Sequence, residues 1–294
     1  MMQNFLHIHP KFQHIAVLSD AERIEFINTA RWIGYQSAKD ILQRLEDLFN
    51  FPKRPRMPNL MIVGESNNGK TTLIQHFYEK YKEPYETEDL ELVIPIILIE
   101  APSTANEKAL YISILEKMAA PYRQTASTEI LYTQALHLMR TYSVKMLIID
   151  EFHSMFTGTA RKQREMMNAL KRLCNELQIP IVGVGTGNAV NILFTDKQFA
   201  SRFEVAELPV WPLNADFQRM LMSFEQVLPL KNKSNLHEPS VAQAIYYKSE
   251  GNLGNISNLL ARCAIKAIRN GSEIIDIDLI NAQKDLLSTT RGRV

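Results

Sequence analysis

Cysteine is scarce in this chain. Only Cys174 and Cys263 occur in 294 residues. Both fall in segments that read as helix, and their spacing suits neither a disulfide framework nor a metal site. A small domain held together by bridges is thereby excluded, and the thiols read as buried and reduced, the usual state in a cytoplasm. Long apolar runs are missing too, since no stretch approaches the length that a membrane-spanning helix needs. Residues Met1 to His14 carry no basic segment followed by an apolar one, so no secretory leader is read there. Neither sign of charge is in surplus: 33 Lys and Arg face 32 Asp and Glu, a formal net charge of +1. Any surface for a polyanion therefore has to be local. Internal repeats, low-complexity tracts, zinc fingers and RNP patterns are absent. What remains is the composition of an ordinary soluble protein, 46% apolar and 22% charged. The expected setting is cytoplasmic, with no membrane partner.

Against that background one segment stands out, Gly64-Glu65-Ser66-Asn67-Asn68-Gly69-Lys70-Thr71. It reads G-x-x-x-x-G-K-[ST] without deviation, after the apolar run Leu60 to Val63 and before Thr72 to Tyr78, which can continue as a helix. Strand, glycine loop and helix form the arrangement that a phosphate group needs. The glycines let the backbone curl so that successive N–H groups converge on phosphate oxygens, and the helix N-terminus adds partial positive charge. In such a loop Lys70 reaches the β- and γ-phosphates, while the Thr71 hydroxyl binds Mg²⁺.

The rest of the chain falls into three stretches. Residues 1–55 read as an N-terminal helical extension. Ser19-Asp20-Ala21-Glu22 forms a helix start, and Ile41, Leu45, Leu48 and Phe49 recur at helical spacing before Pro52, Pro55 and Pro58 intervene. Residues 56–212 alternate strands and helices. The strand candidates are Leu60 to Val63, Val93 to Glu100 with Pro95 near its start, Lys145 to Asp150, Ile179 to Thr186, and Phe203 to Leu208. They are apolar throughout rather than alternating, which indicates burial on both faces and a parallel sheet flanked by helices. Residues 213–294 read as helices around Asp216–Val227, Pro239–Ser249, Ile256–Asn270 and Asp278–Leu287, followed by a basic tail.

A second motif, Met146-Leu147-Ile148-Ile149-Asp150-Glu151, ends an apolar run in two carboxylates. A strand of this kind brings Asp150 to the C-terminal edge of a parallel sheet, where ligands of open α/β sheets bind. There Asp150 is suited to hold Mg²⁺, and Glu151 to orient and deprotonate an attacking water. The alternative is that Asp-Glu only caps the next helix. Thr186 closes the fourth strand in Val184-Gly185-Thr186-Gly187-Asn188. Thr186 and Asn188 compete for a γ-phosphate contact, and a plain turn is the other reading. Arg202, in Ala200-Ser201-Arg202-Phe203, reads either as a finger acting on a neighbouring subunit's phosphate or as a surface ion-pair partner. His153 has no partner by spacing, and a structural or subunit-contact role suits it best.

Together these segments resemble an AAA+ P-loop NTPase of the initiator-like branch, an α/β fold with a parallel sheet and a C-terminal helical lid. Within that branch the chain is similar to the TniB family, TnsC-related regulators of transposition. The similarity is carried by Trp32-Ile33-Gly34-Tyr35, Arg56-Met57-Pro58-Asn59-Leu60, Asn67-Asn68-Gly69-Lys70-Thr71, Asp150-Glu151-Phe152-His153, Gly158-Thr159-Ala160-Arg161 and Val182 to Thr186. The resemblance implies that Trp32, Ile33 and Tyr35 line an adenine pocket, that Gly64 to Thr72 hold the phosphates, and that Thr186 is sensor 1. It also implies that Arg202 is a finger acting in trans. One departure stands out. Many AAA+ proteins carry Gly-x-x-Arg in the lid, but here the run is Gly251-Asn252-Leu253-Gly254-Asn255, with glycine where the arginine would be. Arg262 is only a remote substitute.

For DNA, residues Thr159 to Gln178 offer a helix with Met166, Leu170, Leu173 and Leu177 on one face and Arg161, Arg164, Asn168, Lys171 and Arg172 on the other. An ordinary solvated face is the alternative. The resemblance adds the segment after the second strand, with Thr104, Lys108 and Arg123. The resulting expectation is an ATP- and Mg²⁺-dependent ATPase that forms a ring or helical filament on double-stranded DNA, largely independent of sequence. It would mark the target for a DDE-type transposase, with a TniQ-like adaptor. A helicase-loader or initiator-like ATPase is the alternative, and a P-loop kinase, lacking any visible acceptor signature, comes third.

Overall fold

The computed structural model describes residues 5–29, 32–193 and 196–283. A 3-10 helix (Pro10–Val17) leads to α1 (Asp20–Asn28) and α2 (Gln36–Phe49). The next elements are β1 (Asn59–Gly64), α3 (Lys70–Tyr81), β2 (Tyr85–Glu86), β3 (Leu92–Val93), β4 (Ile96–Glu100), α4 (Glu107–Lys117) and α5 (Thr128–Thr141). Then come β5 (Met146–Asp150), a 3-10 turn (Phe152–Phe156), α6 (Ala160–Leu177), β6 (Ile181–Gly185), α7 (Gly187–Leu193), α8 (Lys197–Ala200) and β7 (Phe203–Leu208). Four helices complete the chain: α9 (Ala215–Glu225), α10 (Pro239–Ser249), α11 (Leu253–Arg269) and α12 (Ile277–Asn281).

These elements pack as two units. One contains Ser37–Glu65 and Lys70–Leu208, and the other Met1–Gln36, Ser66–Gly69 and Pro209–Val294. The four residues at the apex of the phosphate loop thus pack with the helical unit, while their chain neighbours on both sides pack with the α/β unit.

In the α/β unit five strands form one sheet in the order β4-β5-β6-β1-β7. Every pairing is parallel, with Leu60 opposite Val182 and Glu204, and Ile148 opposite Leu98 and Val182. The continuous apolar runs are the cause. Leu60, Met61 and Ile62 on β1 and Leu147, Ile148 and Ile149 on β5 are fully buried, as strands covered on both faces require. Because all strands point the same way, β1 and β5 deliver the phosphate loop and Asp150 to the same edge. A core built on Met61, Ile97, Leu110, Leu131, Leu147, Phe152 and Leu170 fills the space between sheet and helices.

The structure corrects one expected strand. Val93 to Glu100 is not continuous. Leu92–Val93 pairs antiparallel with Tyr85–Glu86, and only Ile96–Glu100 joins the large sheet. Proline lacks the N–H a ladder needs. Pro95 therefore contributes only its carbonyl, which accepts the Lys145 and Met146 N–H groups at 3.0 and 3.3 Å.

In the helical unit, α1 starts with a capping box. The Ser19 N–H donates to Glu22 and the Glu22 N–H to the Ser19 hydroxyl. The core joins Phe217, Leu221 and Phe224 of α9, Ile245 of α10, and Ile256, Leu260 and Ala264 of α11, with Ile24, Ile27, Ile33 and Trp211 packed against it. Arg23 is fully buried, and its guanidinium donates to both Glu273 oxygens at 2.6 and 2.8 Å, to Asp20 and to the Pro229 carbonyl. The last expected helix begins one residue early, at Ile277, and runs to Asn281. Residues 284–287 and the basic tail Ser288 to Val294 lie outside the described residues.

Candidate functional site

In the α/β unit, β1 ends at Gly64 and α3 begins at Lys70. The buried Lys70 ammonium donates to the carbonyls of Gly64 (3.0 Å) and Glu65 (2.7 Å). Burial lowers the Lys70 pKa, against the pull of the Glu151, Asp150 and Glu65 carboxylates. This cation is therefore poorly hydrated and attracts anionic oxygens strongly. One residue on, the Thr71 hydroxyl donates to Asp150 Oδ2 at 2.8 Å. Thr72, next on α3, is exposed. Asp150 Oδ1 accepts the Glu151 N–H at 2.8 Å, so the carboxylate is oriented by both neighbours. Residues 79 positions apart in sequence thus form one hydroxyl–carboxylate pair beside one ammonium.

Glu151 has φ 50° and ψ 35°, the left-handed region. For a non-glycine residue that conformation is costly and clusters at functional sites. Its side chain makes no capping hydrogen bond to the 3-10 turn that follows, so the helix-cap reading does not describe Glu151. Its carboxylate instead lies 3.4 Å from His153 Nδ1, a neighbour that spacing alone did not supply. Thr186 is half-buried in the link between β6 and α7, and Asn188 is exposed on α7. Arg202 precedes β7. Its Nη1 donates to Asn175 Oδ1 at 2.7 Å, and its carbonyl accepts the Asn59 N–H. Within the chain it pairs with an amide on α6 rather than with a carboxylate.

The helical unit holds the loop apex, Ser66 to Gly69. Asn67 (φ 59°) and Gly69 (φ 83°) both take left-handed conformations, which asparagine and glycine tolerate best. Trp32, Ile33 and Tyr35 belong to the same unit. The Tyr35 ring meets Trp211 edge-on with centroids 5.1 Å apart, and burial pushes its phenol up to about 12. Ile33 lines a cavity of about 290 Å³ together with Phe26, Phe224, Leu260 and Ala261.

Within the α/β unit, a buried cation at a helix start and a hydroxyl–carboxylate pair form a donor set suited to phosphate oxygens and a hard cation. Among the described residues no three His, Cys, Asp or Glu side chains could hold a metal ion. A Mg²⁺ ion held by Thr71 and Asp150 would therefore need oxygens brought by a ligand and by water, its usual habit.

The profile of the family described as Bacterial TniB protein matches residues 23–213, well over half of the chain. The chain belongs to the TniB family. Among solved structures, this TniB chain is similar to the Aeropyrum pernix ORC2 protein, solved as ADPNP–ADP complexes. The TM-score is 0.63 and the identity 16%, over 87% of this chain and 70% of that one. It is similar also to Cdc6p from Pyrobaculum aerophilum (TM-score 0.63, 16% identity, 88% and 68% covered) and to Drosophila ORC bound to DNA (0.57, 11%, 90% and 65%). At these identities the likeness establishes the fold, that of the AAA+ P-loop ATPases. No curated protein matches the chain.

The basic positions expected to meet DNA are dispersed in this TniB fold. On α6, Met166, Leu170, Leu173 and Leu177 are buried, as their spacing requires. On the outer side Lys171 pairs with Asp196. Arg172 binds Glu129 through two hydrogen bonds and stacks 3.6 Å from the Tyr132 ring centroid. These two cations are engaged within the chain. Arg161 pairs with Glu165 one turn on, and Arg164 donates to the Ala160 carbonyl at 3.4 Å. Thr104 and Arg123 are exposed, and Lys108 donates to the Gln124 carbonyl at 2.6 Å. No helix among the described residues is long and apolar enough to cross a membrane.

Asn252, Gly254 and Asn255 were missed as contacts of the phosphate loop. The Asn252 side chain donates to the Ser66 carbonyl, the Gly254 N–H to the Asn67 carbonyl, and Asn67 Nδ2 to Asn255 Oδ1. The available signal was a glycine inside the first turn of a helix, which marks close approach of another backbone. Arg262, the remote lid substitute, is exposed.

Proposed function

We propose that this TniB-family protein is an ATP-dependent switch that assembles on double-stranded DNA and marks a site for transposition. The observation that carries the reading is the convergence of Lys70, Thr71, Asp150 and Glu151 at one edge of the sheet in a chain of this family. Gly64 to Thr72 would bind the phosphates of ATP, with Lys70 supplying the positive charge. Thr71 and Asp150 would hold Mg²⁺, whose chemistry there is to neutralise charge on the phosphate oxygens. Glu151 would orient and deprotonate water, and Thr186 would hydrogen-bond near the γ-phosphate. Trp32, Ile33 and Tyr35 would receive the adenine. Arg202 would act on the nucleotide of a neighbouring copy, exchanging its Asn175 partner for phosphate. Copies would then associate only when nucleotide is bound, and hydrolysis would release them.

Arg161 and Arg164 on α6, with Thr104, Lys108 and Arg123, are the proposed DNA contacts. Contacts of this kind track the backbone, so binding would be salt-sensitive and nearly sequence-independent. A DDE-type transposase and a TniQ-like adaptor are the proposed partners. The buried thiols Cys174 and Cys263 suit a cytoplasmic setting.

The test is duplex-DNA binding and particle size with and without ATP. Wild-type protein is expected to form large assemblies on DNA only with ATP. Lys70→Ala is expected to lose both properties, and Glu151→Gln to assemble but fail to turn over. Absence of ATP-dependent assembly in the wild type ends the reading, and loss of assembly in Glu151→Gln removes the role given to Glu151. The likeness to ORC2 and Cdc6p favours a second reading, an initiator or helicase-loader ATPase. Capture of a replicative helicase instead of a transposase decides for it.

A further inference from the structure

The N-terminus of α11 is bound to the apex of the phosphate loop, group by group. Asn252 caps the helix by accepting the Asn255 N–H, and its Nδ2 donates to the Ser66 carbonyl at 2.9 Å. The Leu253 N–H donates to Asn68 Oδ1 at 3.1 Å, and the Gly254 N–H to the Asn67 carbonyl at 2.9 Å. Asn67 Nδ2 donates to Asn255 Oδ1 at 3.1 Å, and Asn68 Nδ2 to the Pro209 carbonyl. Asn68, Asn252 and Asn255 are all buried. The N–H groups a helix normally leaves unpaired in its first turn are here satisfied at Leu253 and Gly254 by the loop itself.

Two physical consequences follow. First, a side chain at position 254 is excluded while this contact is closed. A Cβ there would lie 2.3 Å from the Asn67 carbonyl oxygen and 2.2 Å from its Oδ1. The glycine that stands in place of a lid arginine is a steric requirement of the contact. Second, peptide units are planar and, throughout the described chain, trans. Fixing a carbonyl in one direction turns the N–H of the same peptide the opposite way. With the Ser66 and Asn67 carbonyls held by the lid, the N–H groups of Asn67 and Asn68 are aimed away from it.

We propose that Asn67, Asn68, Asn252, Gly254 and Asn255 form an amide latch through which the lid sets the direction of the phosphate-loop N–H donors. Gly254 and Asn255 are positioning residues: the lid acts on the loop and not on a terminal phosphate. The proposal rests on the nucleotide reading above and adds that lid engagement supports diphosphate and triphosphate alike.

The test uses the full chain, with calorimetric binding of ADP and of a non-hydrolysable ATP analogue, and hydrogen exchange of the free protein. Gly254→Ala drives the two backbones apart. Asn67→Gly keeps the left-handed turn and deletes one side-chain bond. Gly254→Ala is expected to weaken both nucleotides by about the same factor, on the order of tenfold, and Asn67→Gly by severalfold, as net hydrogen-bond energies imply. In the free protein, Asn67→Gly is expected to speed exchange at Leu253 and Gly254 while core amides such as Leu260 stay unchanged. A loss confined to the triphosphate, or unchanged affinity and exchange in both variants, overturns the latch. If Gly254→Ala does not fold, Asn67→Gly decides alone. Wild-type protein that binds neither nucleotide overturns the site reading, and the latch's role with it.

Discussion

Among the described residues of the α/β unit, the buried polar side chains are Asn59 and Lys70. In the helical unit they are Arg23, Asn68, Glu225, Ser234, Ser249, Asn252, Asn255 and Glu273. The two units thus reach a fixed structure by different means. A five-stranded sheet covered by helices buries enough apolar surface to order itself, and its two buried polar side chains flank β1, Asn59 at its start and Lys70 beyond its end. The helical unit has less sheet-like regularity to define its loops, and it holds them with buried hydrogen bonds. Glu225 shows the pattern. Its carboxylate accepts the N–H groups of Ser234, Asn235 and Leu236 and so anchors a loop that carries no regular structure of its own. The loop apex from Ser66 to Gly69 packs with the unit that works through polar contacts.

This contrast can be broken by exchanging the type of damage. Phe152→Ala, at a fully buried ring under the sheet, is expected to cost the α/β unit about 3–5 kcal/mol. Arg23→Leu is expected to cost the helical unit up to about 3–5 kcal/mol although it adds apolar surface, because Glu273 keeps only its Lys231 contacts and loses the bidentate arginine. Denaturant unfolding followed by hydrogen exchange in each unit measures both. If Arg23→Leu costs less than about 1 kcal/mol, the polar account of the helical unit is wrong. In the α/β unit Asn59→Ala orphans the buried Ile181 N–H, which donates to Asn59 Oδ1 at 2.8 Å. The expected cost is about 1–3 kcal/mol, smaller than the loss at Phe152.

The Arg23 pair also predicts a pH response. Burial opposes ionisation of Glu273, but hydrogen bonds from Arg23 and the Lys231 N–H outweigh it and hold the carboxyl below its ordinary 4.5. A lowered acid pKa gives stability that is full above the unfolded value and lost as the pH falls through the folded one. The helical unit should therefore loosen below about pH 4.5, and Glu273→Gln should remove that part of the acid slope. The smallest effect belongs to the surface. Ser19→Ala, which breaks the capping box of α1, is expected to cost about 1 kcal/mol, seen as a lower midpoint in thermal unfolding.

The same contrast explains what the sequence reveals. Strands of the α/β unit are legible because unbroken apolar runs have one solution, burial on both faces. The edge residues Lys70, Thr71, Asp150 and Glu151 are legible because each follows such a run at a fixed distance. Pro95 is visible in the run, but only the structure shows that it separates two strands that belong to different sheets. The contacts of the helical unit were not legible. Asn67 and Asn255 are 188 residues apart, and neither pattern nor spacing announces a pair of amides. Arg23 lies in an acidic first turn that suggests solvent, yet it is fully buried. Gly254 read as a missing arginine, since a steric need is invisible until the neighbouring backbone is in place.

The sheet's outer strand carries a last consequence. Among the described residues β7 pairs with β1 on one side only, and such an edge is a template for strand addition and aggregation. It carries two exposed carboxylates, Glu204, which bonds Arg44 at 2.8 Å, and Glu207 on the other face. A further strand would have to set its own side chains beside these carboxylates to extend the sheet. The edge is thereby blunted against uncontrolled sheet growth.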